Sequence, residues 1–351
     1  MPVIEKGSLV LISGPSGYLG AHCAEELLKH GFRVRGTVRS QDKGEYLVDL
    51  FEKYGRDKFE YVIVEDVEAP GAFDKAIKGV DAFLHTASPF HFNAPDPYKD
   101  LINPAVNGTL NALKSAKSEP SVKRVVITAS FACIVEPKDP GTYVFTEKDW
   151  NEYSPKQVEE HGKDAEASQS YRASKTLAER AAWKFVEEEK PQFDITTIQP
   201  PLIFGPVIHQ VPSPDKLNTS VNNFYQFLVG NKSAEDAQNG FGSYVDVRDV
   251  AKIHVESLLN DHAGNQRFLV ATTDSSYQPL LDTYFNNASD DLKSAFPKAQ
   301  QGKPGNSKPK ANTIDTSKAQ KTFNWKPIAE KDTVIDMVES LAKYQKERWS
   351  K

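Results

Sequence analysis

The sequence predicts an α/β protein built on a doubly wound parallel sheet, with a smaller C-terminal lobe. Short apolar runs alternate with longer amphipathic segments through the first 200 residues, as right-handed strand–helix–strand crossovers require. The apolar runs are nearly continuous, which is typical of strands covered on both faces. A turn with three glycines, "GPSGYLG", follows the first of these runs.

The predicted strands of the sheet follow the apolar runs in order. They are "SLVLIS" (8–13), "FRVRGTVR" (32–39), "FEYVIV" (59–64), "DAFLH" (81–85), "KRVVITAS" (123–130) and "FDITTIQ" (193–199). The clearest predicted helices span about 18–30, 97–118 and 170–190. The first of them stops at Gly31, a residue type common just past helix ends.

The pattern changes after Pro200. The stretch 200–220 is rich in proline and is predicted to be a loop. The later predicted elements are a strand and helix in "GSYVDVRDVAKIHVESLLN", a strand in "QRFLVA" (266–271), an exposed loop at 298–312 and an amphipathic helix at about 331–348. We expect a sheet domain at 1–200 with 240–272 returning to it, a second lobe at 201–239 and 273–330, and a C-terminal helix at 331–351.

Composition narrows the classes of function. The chain has 351 residues, 39% hydrophobic and 26% charged, and its net charge of −5 gives no basis for binding nucleic acid or an anionic membrane. Two cysteines cannot form a disulfide framework, and neither a leader nor a long apolar run stands out, so we expect a cytoplasmic protein. A monomer and a homodimer both stay open. His85 and His91 have no third ligand at useful spacing, so we expect no metal site.

The glycine turn has the position of a phosphate-binding turn. Gly14, Gly17 and Gly20 follow a strand and open a helix, where free backbone N–H groups and the helix dipole favour a pyrophosphate. The spacing is G-x-x-G-x-x-G and not G-x-G-x-x-G, so the turn alone is weak support for a dinucleotide.

The end of the second predicted strand indicates which dinucleotide. An acid there would suit the ribose 2′-hydroxyl of NAD, whereas an arginine suits a 2′-phosphate. This chain has Arg39 at that point and Lys43 one turn later. A solvated basic pair is the plain alternative, but together with the glycine turn the two residues favour NADPH.

A tyrosine and a lysine four residues apart occur twice. Tyr54 and Lys58 lie in a polar connector, whereas Tyr171 and Lys175 lie one turn apart on a predicted helix. Ser130 ends the fifth predicted strand, at the edge where doubly wound sheets bind ligands. A lysine ammonium beside a tyrosine is expected to lower the phenol pKa and suit it for proton transfer to a carbonyl oxygen.

Taken together, these motifs resemble those of the extended short-chain dehydrogenases/reductases. The similarity runs through "GPSGYLG", "VRS", "PAVNGTLNAL", "KRVVITAS", "YRASKTLAERAAW", "FGP" and "YVDVRDVAKIH", and is strongest to fungal NADPH-dependent methylglyoxal, isovaleraldehyde and carbonyl reductases, kin to plant dihydroflavonol reductases. The resemblance implies a Rossmann-type fold, NADPH/NADP+ as cofactor, and the triad Ser130, Tyr171 and Lys175.

The resemblance also implies cofactor contacts. These are Gly14, Pro15, Ser16, Gly17, Tyr18 and Leu19 at the pyrophosphate, Arg39 and Lys43 at the 2′-phosphate, and Asp66 and Val67 at the adenine. Further along the cofactor they are Thr86, Ala87, Tyr171, Lys175, Pro201, Leu202 and, more weakly, Ser220. Phe90 and Phe131 are candidates for the substrate wall, with core packing an equal interpretation.

Two positions depart from the family pattern. Many relatives carry a proton-relay asparagine three residues before the glycine of "NGT", where this chain has Ala105, and we interpret Asn107 as structural. Relatives also use a backbone N–H just past the sixth strand for the nicotinamide amide. Pro200 and Pro201 stand there, and proline has no N–H, so either Leu202 substitutes or that bond is missing.

The sequence therefore predicts an NADPH-dependent reductase of small aldehydes or ketones. Two alternatives stay open: an NAD-dependent sugar-nucleotide epimerase or dehydratase on the same fold, and a non-catalytic regulator that senses NADP. Tightly bound NAD would favour the first alternative, and a missing triad would favour the second.

Overall fold

The computed structural model describes residues 3–87, 94–272, 274–305 and 312–349. Its strands are β1 Leu9–Ser13, β2 Arg33–Val38, β3 Phe59–Ile63, β4 Ala82–His85, β5 Arg124–Thr128, β6 Val144–Phe145, β7 Asp194–Gln199, β8 Leu202–Phe204, β9 Gly240–Asp246, β10 Gln266–Leu269, β11 Asp274–Ser276 and β12 Thr313–Ile314. Its α-helices are α1 Tyr18–Lys29, α2 Gln41–Phe51, α3 Asn103–Lys117, α4 Tyr153–His161, α5 Ala167–Glu189, α6 Thr219–Leu228, α7 Val247–Leu259, α8 Tyr277–Asn287, α9 Asp290–Ala295, α10 Ser317–Phe323 and α11 Glu330–Tyr344. Two π-helical turns, Tyr98–Ile102 and Gln345–Trp349, precede α3 and follow α11.

The main sheet confirms the predicted fold class. In the described part of the chain it has seven strands in the order β10–β7–β5–β4–β1–β2–β3, and every neighbouring pair is parallel. The order reverses between β1 and β4. At such a reversal the loops leaving the two strands diverge and open a crevice at the carboxyl edge.

Helices cover both faces of this sheet, which explains the continuous apolar runs. All five residues of β1 and all four of β4 are buried. One core joins α1 and α7 through residues such as Leu27 and Ile253, and the opposite core joins α3 and α5 through residues such as Leu113 and Phe185. The sheet is therefore a rigid platform that holds the loops at its carboxyl edge.

Another apolar core lies beside the carboxyl edge; we call it the second core, to distinguish it from the two cores on the faces of the sheet. It gathers side chains of α6, α8 and α11, including Phe224, Tyr284 and Met337. A small sheet of order β11–β9–β8 lies against it, with β8 parallel and β11 antiparallel to β9. Strand β9 thus belongs to the small sheet, whereas β10 pairs with β7 in the large one. The division of the chain into domains stays a prediction.

The prediction of a continuous loop at 200–220 is wrong in part. Strand β8 forms between Pro201 and Gly205, and α6 begins at Thr219. Three residues are too few for a periodic signal, and the prolines around them disguise it. The strand exists because its backbone pairs with β9, a contact distant in sequence.

Candidate active site

The glycine turn lies between β1 and α1, at the reversal of strand order. Gly14 has φ +67°, a conformation that favours glycine. A Cβ on Gly20 would lie 2.2 Å from the Gly14 carbonyl oxygen, so the turn and the helix can approach only because that position is glycine. Gly17 is the N-cap of α1 and is exposed, with no side-chain cap. The first N–H groups of α1 lack intrahelical partners and suit an anion.

The side chains of the residues between these glycines lie in different surroundings. Pro15 packs on β2, where a Cβ on Gly36 would lie 2.7 Å from Pro15 Cγ. Ser16 is partly exposed beside the exposed Gly17. The Tyr18 side chain is buried, and its hydroxyl donates to the Gly205 carbonyl at 2.8 Å. Leu19 is partly buried against both the core that joins α1 and α7 and the second core. Only backbone groups of Tyr18 and Leu19 are thus available to a phosphate.

Arg39 and Lys43 come after β2, the strand next to β1 in the main sheet. Arg39, directly after the strand, is exposed, and Lys43 in the first turn of α2 is partly exposed. Among the described residues, neither forms an ion pair within 4 Å. Two cations that form no such ion pair fit a phosphate monoester.

The turn after β3 carries the predicted adenine contacts. Asp66 is exposed, and its Oδ1 accepts the Glu68 N–H at 2.8 Å. Asn111 of α3 fixes the turn from below, since its Nδ2 donates to the carbonyls of Val67 at 3.1 Å and Glu68 at 2.8 Å. Sequence reasoning missed Asn111, although it stands in the "NGTLNAL" stretch that carried the resemblance.

The end of β4 is tied to the end of β1. Ser13 Oγ is hydrogen-bonded to His85 Nδ1 at 3.0 Å and accepts the Ala87 N–H at 3.0 Å, while the Thr86 hydroxyl donates to the Ser13 carbonyl at 2.5 Å. Burial, and then the charge of Lys175, lower the pKa of His85 to about 4. Thr86 and Ala87 therefore line the crevice next to the glycine turn, with Lys175 close by.

Ser130, Tyr171 and Lys175 meet at the carboxyl edge. Ser130 caps a short 3₁₀ turn after β5, and its Oγ accepts the Ala132 N–H at 3.1 Å. The Ser130 side chain also lies near Tyr171 of α5 and acts to lower the pKa of that phenol, against the larger effect of burial, which raises it. Lys175, one turn further along α5, has its Nζ 5.8 Å from the centroid of the Tyr171 ring. All three side chains keep some exposed surface and are accessible from the crevice.

The pKa of Tyr171 in the protein by itself is raised and not lowered, contrary to the expectation from the neighbouring Lys175. Burial raises the pKa of Tyr171 to about 12, and the Ser130 side chain opposes that rise only in part. Burial also lowers the pKa of Lys175 to about 8. Desolvation thus acts on both groups toward their neutral forms, and the phenol keeps its proton at neutral pH.

The second tyrosine–lysine pair has other partners. The Tyr54 hydroxyl donates to Glu25 Oε1 at 3.0 Å, and Lys58 pairs with Asp57 at 3.2 Å. Tyr54 lies in a 3₁₀ turn after α2, away from the carboxyl edge. The structure thus separates two pairs that share one sequence spacing.

The remaining predicted positions surround the site. Pro200 offers no N–H, and its carbonyl accepts the Phe131 N–H at 2.9 Å. Pro201 and Leu202 are partly exposed, with Leu202 opening β8, and Ser220 is buried in the first turn of α6.

The helix position of the relay asparagine contains no amide. Ala105 is buried, and its carbonyl accepts the Thr109 hydroxyl at 2.8 Å. Asn107 is exposed and lines a surface groove with Glu68 and Asn111. Asn107 therefore does not replace the missing side chain.

Phe131 is a predicted wall residue that the structure describes. Phe131 packs edge-on against Phe145, with ring centroids 5.9 Å apart, in a small cluster with Ile134 and Leu269. It stays partly exposed, so packing and a wall position are compatible. Phe90 lies outside the described residues.

Within the described ranges, no helix combines the length and the apolar character that a bilayer span requires.

The chain is similar to proteins of known family. The family model "NAD dependent epimerase/dehydratase family" matches residues 10–271. A ketoreductase, azaE, of Aspergillus niger is 41% identical over 268 residues, which cover 74% of this chain and 76% of that protein. The NADPH-dependent methylglyoxal reductase GRE2 of Saccharomyces cerevisiae is 32% identical over 349 residues, covering 96% of this chain and 98% of that protein.

A solved structure matches both the fold and the length. Gre2 of Candida albicans in complex with NADPH superposes with a TM-score of 0.85 at 35% identity, covering 96% of this chain and 99% of that chain. The range matched by the family model includes the glycine turn and the elements that carry Ser130, Tyr171 and Lys175. This chain belongs to the NAD-dependent epimerase/dehydratase family, within the extended short-chain dehydrogenases/reductases.

Proposed function

We propose that this protein reduces aldehyde and ketone carbonyls to alcohols with NADPH. The observation that carries the proposal is the close approach of the Ser130 and Tyr171 side chains beside Lys175, at the edge of the crevice that holds the glycine turn. Names of relatives support it, since the similar proteins include an NADPH-dependent methylglyoxal reductase and a ketoreductase.

The crevice fits NADPH. The turn at Gly14 and Gly20 is too narrow to admit a side chain at Gly20. The N–H groups at the start of α1 are therefore available to the pyrophosphate. Arg39 is exposed and Lys43 is partly exposed, so both are available to a 2′-phosphate. We assign the adenine to Asp66 and Val67. The other cofactor positions in this proposal are Thr86, Ala87, Pro201, Leu202 and Ser220. When bound, NADPH supplies the hydride that the carbonyl carbon receives.

The chain itself handles the proton. Tyr171, with its pKa raised to about 12, carries the proton at neutral pH and donates it to the carbonyl oxygen. Ser130 holds that oxygen next to the phenol. The Lys175 ammonium stabilises the tyrosinate that remains and holds the nicotinamide ribose. With Ala105 in the relay position, the proton returns to Tyr171 by a route other than a helix asparagine.

The proposal is tested by the oxidation of NADPH with three classes of substrate. We expect purified protein to consume NADPH with at least one of α-dicarbonyls, aliphatic aldehydes and aryl ketones, and NADH far more slowly. Failure with all three classes would favour an NADP-sensing regulator. Retention of NAD through purification would favour an epimerase.

Reduction is expected to slow as pH rises through about 8. The pKa of Lys175 is lowered to about 8, so its charge is present below that pH and is lost above it. Tyr171 keeps its proton over this range because its pKa is raised to about 12. The pH dependence of kcat/KM reports groups of the free enzyme, and we expect a descending limb near the Lys175 pKa. A profile that stays flat well above that value contradicts the role of Lys175.

We further propose that the protein acts in the cytoplasm as a monomer or homodimer. Both cysteines, Cys23 and Cys133, are buried and free, as expected in a reducing compartment. The lobe formed by 201–239 and 273–330 is proposed to bind the substrate, and 331–351 to form the C-terminal helix that supports it. Fractionation of cells and sedimentation of the pure protein test location and assembly.

A further inference from the structure

A buried carboxylate lies on the helix that carries the tyrosine and lysine. Glu179 is 2% exposed and follows Lys175 by four residues and Tyr171 by eight on α5. Residues at this spacing share one helix face. The reaction proposed above gives Glu179 no role, although a charge this deeply buried is rare without a specific reason.

Glu179 is hydrogen-bonded to several other segments. Its Oε1 accepts from the Thr197 hydroxyl at 2.7 Å, from Gln199 Nε2 at 2.7 Å and from Arg267 Nε at 2.8 Å. The Cys133 thiol also lies near this carboxylate, since burial and then the charge of Glu179 raise the pKa of that thiol. One side chain of α5 is thus joined to the end of β7 and to the edge strand β10, and it lies next to the 3₁₀ turn after β5.

Two of these neighbours adjoin the proposed site directly. Cys133 belongs to the turn that Ser130 caps, and its N–H donates to the Ser130 carbonyl at 2.9 Å. Gln199 precedes Pro200, whose carbonyl accepts the Phe131 N–H at 2.9 Å. Glu179 therefore lies where the segments bearing Ser130, Tyr171 and the end of β7 converge.

The anchor on the opposite side of the carboxylate is itself fixed. Arg267 donates from Nη1 to the carbonyls of Glu147 at 2.6 Å and Asp149 at 2.8 Å, and its guanidinium lies 3.7 Å from the Trp150 ring centroid. A fixed cation gives Glu179 one position, and through it the helix face bearing Tyr171.

We propose that Glu179 is a positioning residue that sets the register of the Tyr171 and Ser130 hydroxyls by tying α5 to the end of β7, which holds the Ser130 turn through the Pro200 carbonyl. The inference rests on the proposed reductase function. Stability alone does not account for the buried pair with Arg267, because well-packed apolar residues often replace such pairs without loss.

Within the described part of the chain, charged and titratable groups face both Glu179 and Tyr171. Arg267 and Cys133 face Glu179, while Lys175, Arg172 and Cys133 surround Tyr171. The Ser130 side chain acts to lower the pKa of Tyr171. A loss of register between the two hydroxyls therefore raises the pKa of Tyr171, an effect that a purely structural role of Glu179 would not produce.

The test is the double variant Glu179→Leu/Arg267→Met, which removes the links but leaves no unpaired charge. We expect it to fold and to bind NADPH as wild type does, with kcat reduced about 10²-fold, since small displacements of reacting groups cost that much. Cys133→Ala, which removes only the thiol near Glu179, should lose less. The control Lys184→Met/Glu188→Leu removes an exposed ion pair of α5 and should leave kcat unchanged.

A second readout does not depend on turnover. Difluorotyrosine placed at position 171 reports its own ionisation by ¹⁹F NMR during a pH titration. We expect the titration midpoint to move to higher pH in the double variant, in the direction that Ser130→Ala moves it. Wild-type kcat in the folded double variant, or a midpoint that moves in Ser130→Ala only, overturns the proposal. A wild type inactive with every carbonyl refutes the reductase function separately, and the titration still decides the role of Glu179.

Discussion

Replacing Tyr171 by phenylalanine is expected to abolish carbonyl reduction while NADPH binding persists. The phenol is the proton donor of the proposed reaction, and removal of a positioned general acid costs about 10²–10⁴ in kcat. Phenylalanine keeps the aromatic ring, whose centroid lies 5.8 Å from Lys175 Nζ in the wild type. The crevice should therefore keep its shape. Stopped-flow turnover and fluorescence titration with NADPH measure the two quantities on one preparation.

The chain provides its own matched control for that result. Tyr54→Phe removes the hydroxyl of the second tyrosine–lysine pair, whose partner is Glu25 on α1. We expect this variant to reduce carbonyls as wild type does, with at most a small loss of stability. Equal losses in both variants, or wild-type turnover in Tyr171→Phe, would exclude Tyr171 as the donor.

The second large effect is expected at the basic residues after β2. Arg39→Ala/Lys43→Ala removes two cations, each of which can make a charge-assisted hydrogen bond of about 1.5–3 kcal/mol with the 2′-phosphate. The Kd for NADPH should therefore rise about 10²-fold or more, while the Kd for NADH, which lacks that phosphate, should not change. Isothermal titration with the two cofactors measures the difference.

An exposed cation elsewhere separates this effect from a general change of charge. Arg56 is exposed and pairs with Glu52 at 2.5 Å, away from the crevice. Arg56→Ala should leave both cofactor affinities unchanged. If the double variant loses NADPH and NADH equally, the two residues stabilise the turn and do not read the phosphate.

The main sheet could be predicted because local pattern and tertiary structure agree there. A parallel sheet covered on both faces needs continuous apolar strands, and the runs ending at Ser13, His85 and Ser130 are visible for that reason. The glycine turn was predictable too, since the close approach of Gly14 and Gly20 admits no side chain.

What could not be predicted depends on contacts between distant segments. Strand β8 exists through its pairing with β9, and the raised pKa of Tyr171 arises from burial that no spacing reveals. Asn111 and Glu179 are ordinary helix residues until the fold brings the turn after β3 to one and Cys133, Gln199 and Arg267 to the other. A sequence pattern contains such residues but does not show which distant segments they contact.

The decisive measurement counts NADPH and alcohol in a single reaction. Purified wild-type protein is mixed with NADPH and an α-dicarbonyl, and both the cofactor oxidised and the alcohol formed are quantified. We predict one alcohol for each NADPH consumed, with a much slower reaction for NADH. No net oxidation of NADPH with any carbonyl, from protein that carries firmly bound NAD, would contradict the proposed reductase and favour an epimerase.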